Sequence, residues 1–282
     1  MNLYKGILIA STILITTSAF AEDGDIMGSP EDYQEIEIET EDLRVEVEIE
    51  EIAEPYWEVI MMGGTASLDA ENTTIDMTAD ETDQLQQRND GDWKSWTANL
   101  GVGYVIPIFD SVVYSDEVQW LPAVEPQING YFLKGNINGN VDRYYEFPGN
   151  FSDTDYSMEL ESTRVMFDVS LTLASYRNLS IYAIAGIGPS WNRIDFETPN
   201  CAPGEEIEID PHTTVNFAYE FGGGINYALT EHIALTVEYL YTGFNDLRLD
   251  DDGEVGGVDQ ELKSDDFDLS SQAVLFGIRY AF

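Results

Sequence analysis

From Tyr56 onward one device recurs, an alternation of apolar with polar or small residues at a period of two. It appears in eight runs, at about 56–68, 93–106, 122–137, 157–175, 179–196, 213–227, 232–249 and 267–282. Successive side chains of a strand point to opposite faces, so each run predicts a strand with one apolar face. In the fourth run Val165, Phe167, Val169, Leu171 and Leu173 oppose Arg164, Asp168, Ser170 and Thr172. In the sixth, Val215, Phe217, Tyr219, Phe221, Ile225 and Tyr227 oppose Asn216, Ala218, Glu220, Gly222, Gly224 and Asn226. The seventh sets Ile233, Leu235, Val237, Tyr239 and Tyr241 against Ala234, Thr236, Glu238 and Thr242. In the last, Val274, Phe276, Ile278, Tyr280 and Phe282 oppose Ala273, Gly277, Arg279 and Ala281. The fifth run is apolar or small on both faces between Ile181 and Trp191, and the third contains Pro126, so these two are less regular.

Composition narrows the setting. The formal charge is −42, from 54 acidic residues against 12 basic ones. Nucleic acid is therefore excluded as a partner, because phosphate contacts need clustered Lys and Arg. So acidic a chain would be disordered if it lacked aromatics, but it carries 16 Tyr, 13 Phe and 5 Trp. Residues 1–21 read as a secretory signal peptide: Lys5, an apolar run from Gly6 to Ile15, and Ala19-Phe20-Ala21 before the cleavage site. That run is shorter than the ~20 residues a membrane helix needs. Any membrane embedding must then be by strands. Residues 22–54 are expected to form a disordered acidic periplasmic extension. Between Glu35 and Glu51, acids alternate with Ile36, Ile38, Val45, Val47 and Ile49, which leaves a pairing strand as the other reading. Pro55 marks the boundary to a domain over 55–282. The lone Cys201 excludes an internal disulfide.

Connections separate a membrane barrel from a soluble sandwich. They are long at 69–92, 138–156, 197–212 and 250–266, and short at 176–178 and 228–231; the stretch 107–121 breaks the rule. Outer-membrane barrels have short periplasmic turns and long outer loops. Trp96 and Tyr104 share a face eight residues apart, as Phe217 and Tyr227 nearly do at ten. At ~3.3 Å per residue and a tilt of ~40°, eight residues climb roughly 20 Å, near the ~25 Å apolar band of such barrels. Trp57, Tyr280 and Phe282 would join the periplasmic aromatic girdle.

The final Phe-Gly-Ile-Arg-Tyr-Ala-Phe resembles the C-terminal assembly signal of bacterial outer-membrane β-barrels, with Gly277, Tyr280 and Phe282 at its typical positions. Leu275 departs from it, standing where a polar residue is usual. Ile233 to Tyr241 resembles the penultimate strand of the OmpA-like and opacity-protein group. The resemblance covers 55–282. It implies an all-β fold, a transmembrane eight-stranded antiparallel up-and-down β-barrel in the Gram-negative outer membrane. The implied partners are outer-membrane lipid, lipopolysaccharide and the barrel-assembly machinery. No peptidoglycan-binding domain is expected after the barrel.

With the aromatic faces outward, Glu58, Arg164, Asp168, Glu220, Glu238 and Arg279 fall in the lumen, with Asn99, Asn129, Asn216 and Asn226. Counting from the short turns puts Asp168, Glu220 and Glu238 at mid-barrel depth, with Arg164 about one repeat above. Glu58 and Arg279 lie near the periplasmic end, on first and last strands that must pair. The simplest reading is a plug of paired charges, since buried charges need partners and side chains can fill so narrow a barrel. The alternative is a cation-preferring path through an acid-rich lumen. Asp250, Asp252, Glu254 and Glu261 fall at the first, third, fifth and twelfth positions of a calcium loop. Val255 stands where that loop needs Gly, so an acidic solvated loop is the better reading. Neither metal nor cofactor is expected.

Catalysis is not expected. His212 follows Pro211 in a loop and His232 follows Glu231 in a short turn, neither with a serine close by in sequence. The reading that remains is a non-enzymatic surface protein displaying acidic extracellular loops, for envelope structure or partner contact. A small porin-like channel is the alternative, and a lipid-modifying barrel enzyme the third. Acidic loops repel lipopolysaccharide phosphates unless divalent cations bridge them. Chelation of divalent cations should therefore weaken any loop-dependent surface contact, read as cell-surface binding with and without chelator. An unchanged phenotype would refute cation bridging.

Overall fold

The computed structural model describes residues 54–71, 73–78, 81–87, 93–108, 118–142, 154–199, 206–249, 252–261, 263–264 and 266–282. The signal peptide, nearly all of the acidic extension, Cys201 and Asp250 lie outside them. The described elements are strands: β1 Tyr56–Ala70, β2 Thr73–Thr78, β3 Glu81–Gln87, β4 Ser95–Pro107, β5 Val118–Asp142, β6 Thr154–Tyr176 and β7 Leu179–Glu197. They continue with β8 Ile207–Ala228, β9 Ile233–Leu247, β10 Asp252–Val255, β11 Val258–Glu261, β12 Lys263–Ser264 and β13 Phe267–Ala281.

Eight of them form a closed antiparallel ring in the order β1-β4-β5-β6-β7-β8-β9-β13, and β13 returns to β1. Closure runs from Glu58 opposite Ala281 to Ala70 opposite Leu269. Each of the eight alternating runs supplies one ring strand. Short turns at 177–178 and 229–232 join strands at the end where the chain enters and leaves.

The opposite end differs from the loops expected there. The stretch 69–92 contains the β2–β3 hairpin, with β3 laid against the upper part of β5 (Gln84 opposite Asp142). The stretch 250–266 contains β10 and β11, turned at Gly256 and Gly257 in positive φ, and β10 pairs with the start of β8. β12 pairs with β2. These strands are too short to show a period alone; they exist because the long ring strands offer them an edge. β8 likewise begins at Ile207 rather than 213, so His212 stands within a strand, opposite Ile194.

β5 has 25 residues and β6 has 23. At ~3.3 Å per residue and ~40° tilt, β5 climbs roughly 60 Å, more than twice a ~25 Å apolar band. The strands therefore pass through two environments, and the faces exchange polarity between them. On β6, Val165, Phe167 and Val169 point outward and are 43–57% exposed, while Arg164, Asp168 and Ser170 are buried inside. Higher on the same strand the inward parity carries Tyr156, Met158 and Leu160, all buried, and the outward parity carries Asp155, Glu159 and Glu161. β5 exchanges between Phe132 and Lys134, and β7 between Trp191 and Arg193. Below this line the barrel is apolar outside, and its interior holds the buried charges together with Ile60, Met62, Met166, Leu240 and Leu275. Above it the barrel is polar outside with an apolar core that includes Leu133, Ile137, Leu160, Phe196 and Leu247.

Bulges keep the core continuous. The β7–β8 register shifts by one residue between Ile194 and Phe196, and β9–β13 shifts between Phe267 and Leu269. A one-residue shift moves a strand's inward set to the other parity. On β8 it changes from Ala218 and Glu220 to Ile207 and Ile209, which are buried.

Leu160→Ala should destabilise the upper barrel by about 2–5 kcal/mol, whereas outward-facing Ser157→Ala should change it by less than about 0.5 kcal/mol. Urea midpoints read by a fluorophore above the polarity line would test this; equal shifts in the two variants would contradict an apolar core there.

Candidate functional site

The lower lumen gathers the charged side chains. Its floor is Arg279 of β13, buried, whose Nη1 donates to Glu58 Oε1 on β1 at 2.5 Å and to Glu125 Oε2 on β5 at 2.8 Å. One guanidinium thus ties the closing strand to its neighbour and, across the lumen, to β5. Its carbon lies 5.0 Å from the centre of the Tyr182 ring. Tyr182 Oη donates to Glu238 Oε2 at 2.7 Å.

Higher up, Asn129 Nδ2 donates to Asp168 Oδ2 at 2.7 Å and to Gln127 Oε1 at 2.8 Å, and Asn99 Nδ2 donates to Asn129 Oδ1 at 3.3 Å. Arg164 forms the upper limit of the polar zone. Its Nε donates to Glu220 Oε2 at 3.3 Å and its Nη2 to Thr242 Oγ1 at 3.2 Å. It lies 4.4 Å from the Tyr131 ring centre and 5.7 Å from that of Phe244, where the apolar core begins. Guanidinium suits this boundary because it donates in its plane and stacks on aromatic faces.

Glycines make room for this network. In register, Asp168 faces Gly186, which faces Glu220; Tyr182 faces Gly224, which faces Glu238. Strands are ~4.8 Å apart, so side chains two strands apart meet only by lying across the strand between. A Cβ at Gly186 would stand 1.7 Å from Asp168 Oδ1, and one at Gly224 would stand 2.5 Å from Tyr182 Oη. The bridging interactions need glycine at both places.

All six lumen candidates are buried inside the ring: Glu58, Arg164, Asp168, Glu220, Glu238 and Arg279. They are brought together as the Arg279–Glu58 and Arg164–Glu220 pairs, the Asp168–Asn129 bond and the Glu238–Tyr182 bond. Asn99 and Asn129 are buried, whereas Asn216 and Asn226 are only partly so. Glu125, Gln127 and Tyr182 belong to the network and were not singled out from sequence. Pro126 beside Glu125 obscured the third run, and Tyr182 sits in the fifth, whose two faces look alike.

Gly277 faces Met62 in the closing pair, while Tyr280 and Phe282 stand exposed on the outer wall. Leu275 is fully buried on the inward face. Of the calcium-loop candidates, Asp252 and Glu254 are exposed on β10, opposite Glu261 and Asp259 of β11. A hairpin replaces the coordinating loop, because Gly256-Gly257 supplies the tight turn one residue beyond Val255. Among the described residues no group of three or more His, Cys, Asp or Glu is arranged to hold a metal.

The outer wall carries aromatics at both ends of its apolar zone. Trp57 and Tyr104 pack at 4.8 Å between centroids near the short turns, and Trp96 and Phe132 pack at 5.1 Å near the polarity line. A closed eight-stranded barrel with an apolar exterior, aromatic ends and a polar lumen is a membrane-spanning β-barrel. Residues 127–282, more than half of the chain, match the outer membrane protein beta-barrel domain family, and the chain belongs to that family. It is an outer-membrane protein of the Gram-negative type, which makes the short-turn end periplasmic and the upper barrel extracellular.

Similar solved structures include the attachment invasion locus protein Ail of Yersinia pestis, at 11% identity over 80% of this chain and 99% of that one, TM-score 0.32. The translocator domain of the autotransporter NalP from Neisseria meningitidis aligns at 10% identity over 80% and 88%, TM-score 0.26. A Pseudomonas aeruginosa FadL homologue aligns at 6% identity over 80% and 90%, TM-score 0.21. No curated protein sequence matches the chain.

Removing one partner from a buried ion pair leaves an uncompensated charge, at a cost of about 3–5 kcal/mol. Arg279→Met should destabilise the barrel by about that much, and adding Glu58→Gln and Glu125→Gln should restore most of it. Urea unfolding in lipid vesicles reads both variants; equal loss in the triple variant would mean that Arg279 acts through packing instead.

Proposed function

We propose that this is a non-enzymatic outer-membrane surface protein whose work is done by the acidic extracellular barrel, in envelope structure or contact with a partner. The observation that carries this reading is the filled lumen. Arg279, Glu58 and Glu125 close the periplasmic end, Arg164 spans the middle, and buried Ile137, Leu160 and Phe196 occupy the interior above. An eight-stranded barrel is just wide enough for side chains to fill, so solute has no path that leaves this packing intact. What faces outward above the membrane is a rigid wall bearing Glu159, Glu161, Asp195, Glu197, Glu208 and Glu254. Binding residues are commonly carried on such scaffolds.

The histidines also favour a non-enzymatic reading. His212 is high on β8 and His232 is in the β8–β9 turn at the opposite end, so they cannot serve one site. A second reading, a narrow cation-preferring channel, draws on the imbalance in the lower lumen. Five carboxyl groups (Glu58, Glu125, Asp168, Glu220, Glu238) share it with two guanidinium groups (Arg164, Arg279). The apolar core above speaks against it, because an ion crossing that zone would lose its hydration without compensation.

Refolded protein in planar bilayers, with and without residues 22–54, should be electrically silent. Steady cation-selective openings that vanish on Glu238→Gln or Glu220→Gln would overturn the surface-contact reading in favour of the channel.

A further inference from the structure

Two places in the lower lumen repeat one construction, in which two carboxyl groups and a guanidinium meet across a glycine. At the floor, Glu58 on β1 stands opposite Gly103 on β4, and Glu125 reaches over that glycine from β5. A Cβ at Gly103 would lie 1.9 Å from Glu125 Oε1. At mid-depth, Asp168 on β6 stands opposite Gly186 on β7, which stands opposite Glu220 on β8. A Cβ at Gly186 would lie 1.7 Å from Asp168 Oδ1. Each glycine clears the strand between two acids, and in each pair the two carboxyl groups stand within hydrogen-bonding reach of one another.

The donors at these pairs are already committed to other oxygens. Arg279 Nη1 serves Glu58 Oε1 and Glu125 Oε2, Arg164 Nε serves Glu220 Oε2, and Asn129 Nδ2 serves Asp168 Oδ2. The oxygens over the glycines, Glu125 Oε1 and Asp168 Oδ1, accept no hydrogen bond among the described residues, and neither does Glu220 Oε1. All four acids are at most 7% exposed. The remaining titratable groups beside them add no positive charge, being Tyr56, Tyr182 and Glu238 at the floor and Tyr131 and Glu238 at mid-depth.

Two carboxylates in contact and out of water cannot both stay ionised. One guanidinium balances one of them, and the other needs a positive charge of its own. Calcium or magnesium takes about six oxygen ligands, and no group of three acids is arranged to hold a metal among the described residues. A proton needs only the two oxygens that each glycine lets approach, and an O–H···O⁻ bond is among the strongest hydrogen bonds. We propose that Glu58–Glu125 and Asp168–Glu220 each share one proton, so that the barrel closes around two buried protons. Each triad of two acids and one guanidinium is then neutral. The lower proton sits where the closing strands meet β5, and the upper one joins β6 to β8. Releasing them charges the lumen and loosens the ring, so the closed barrel is sensitive to alkali. The assignment concerns the lumen alone and stands whatever the outer wall contacts.

The test is infrared spectroscopy of the full barrel in maltoside micelles, in heavy water at neutral pH. A protonated carboxyl absorbs above the amide band and apart from carboxylates, and the exposed acids are ionised there. The unsubstituted barrel should show this band. Glu125→Gln and Asp168→Asn put an amide N–H where the proton lies, so each should remove part of the band. The double variant should leave no more than the share of Glu238. The folded barrel holds protons that the unfolded chain has already released at neutral pH, so its urea midpoint should fall in mildly alkaline buffer. The double variant should lose that fall. Absence of the band from the unsubstituted barrel would overturn the proposal, and a midpoint then raised by sodium or calcium would give the pairs to a metal ion. A band unchanged in both single variants would overturn it as well. The unsubstituted spectrum decides even if a variant fails to refold.

Discussion

Everything in this barrel depends on the pairing of its first strand with its last. Within lipid an unpaired N–H or C=O finds no water, so a sheet edge is untenable and the ring must close. Closure joins β1 to β13 through thirteen opposed residues, the pairing with the greatest separation in sequence. The charged floor makes its register distinctive. A slip of one residue would turn Arg279 into lipid and Tyr280 into the lumen. In the observed register Arg279 instead meets Glu58 and Glu125, so the bond that seals the periplasmic end also ties the closing pair to β5.

The exchange of polarity along β5, β6 and β7 follows from the change of solvent. Where lipid surrounds the barrel, an apolar interior would gain little, because lipid tails are as apolar as leucine. Polar inward side chains there hold the ring through hydrogen bonds and ion pairs, alongside buried Met62, Met166 and Leu275, and glycines such as Gly186 and Gly224 let the polar ones span strands. Where water surrounds it, burying apolar surface is favourable, and Tyr156, Met158 and Leu160 take the inward parity that Arg164 and Asp168 hold below. Glu159 and Glu161 draw Lys134 outward at the border and hold its ammonium above the usual range, while Lys134 holds the Glu161 carboxyl below its own.

The fold was legible where alternation was long and one-sided. Val165 to Leu173, Phe217 to Tyr227 and Ile233 to Tyr241 each identify a strand and its outward face without help from the rest of the chain. The Arg279–Glu58 pair was legible because first and last strands must meet. Other features depended on information that periodicity does not carry. The shift between Ile194 and Phe196 puts Ile207 and Ile209 out of phase with Ala218 and Glu220, so the upper part of β8 reads as loop. β2 and β3 bury Ile75 and Leu85, too few apolar positions to show a period. Depth counting set Arg164 a repeat above Glu220, as the register has it, but not that its long side chain reaches back to the Glu220 carboxylate.

Charge placement links these elements to the cell surface. The chain has only 12 basic residues, and two of them, Arg164 and Arg279, are buried among lumen acids. Lys134 and Arg193 stand on the outer wall just above the aromatic line, in register on either side of Glu161. Lys134 pairs there with Glu159 and Glu161, where the outer wall passes from apolar to polar. A base between carboxylates offsets their mutual repulsion within a Debye length. Higher acids such as Glu197, Glu208 and Glu254 need no such partner, because water and mobile cations screen them. Along β5, β6 and β7 the outer-wall bases thus stand at the border of the apolar zone, and the acids above them face water.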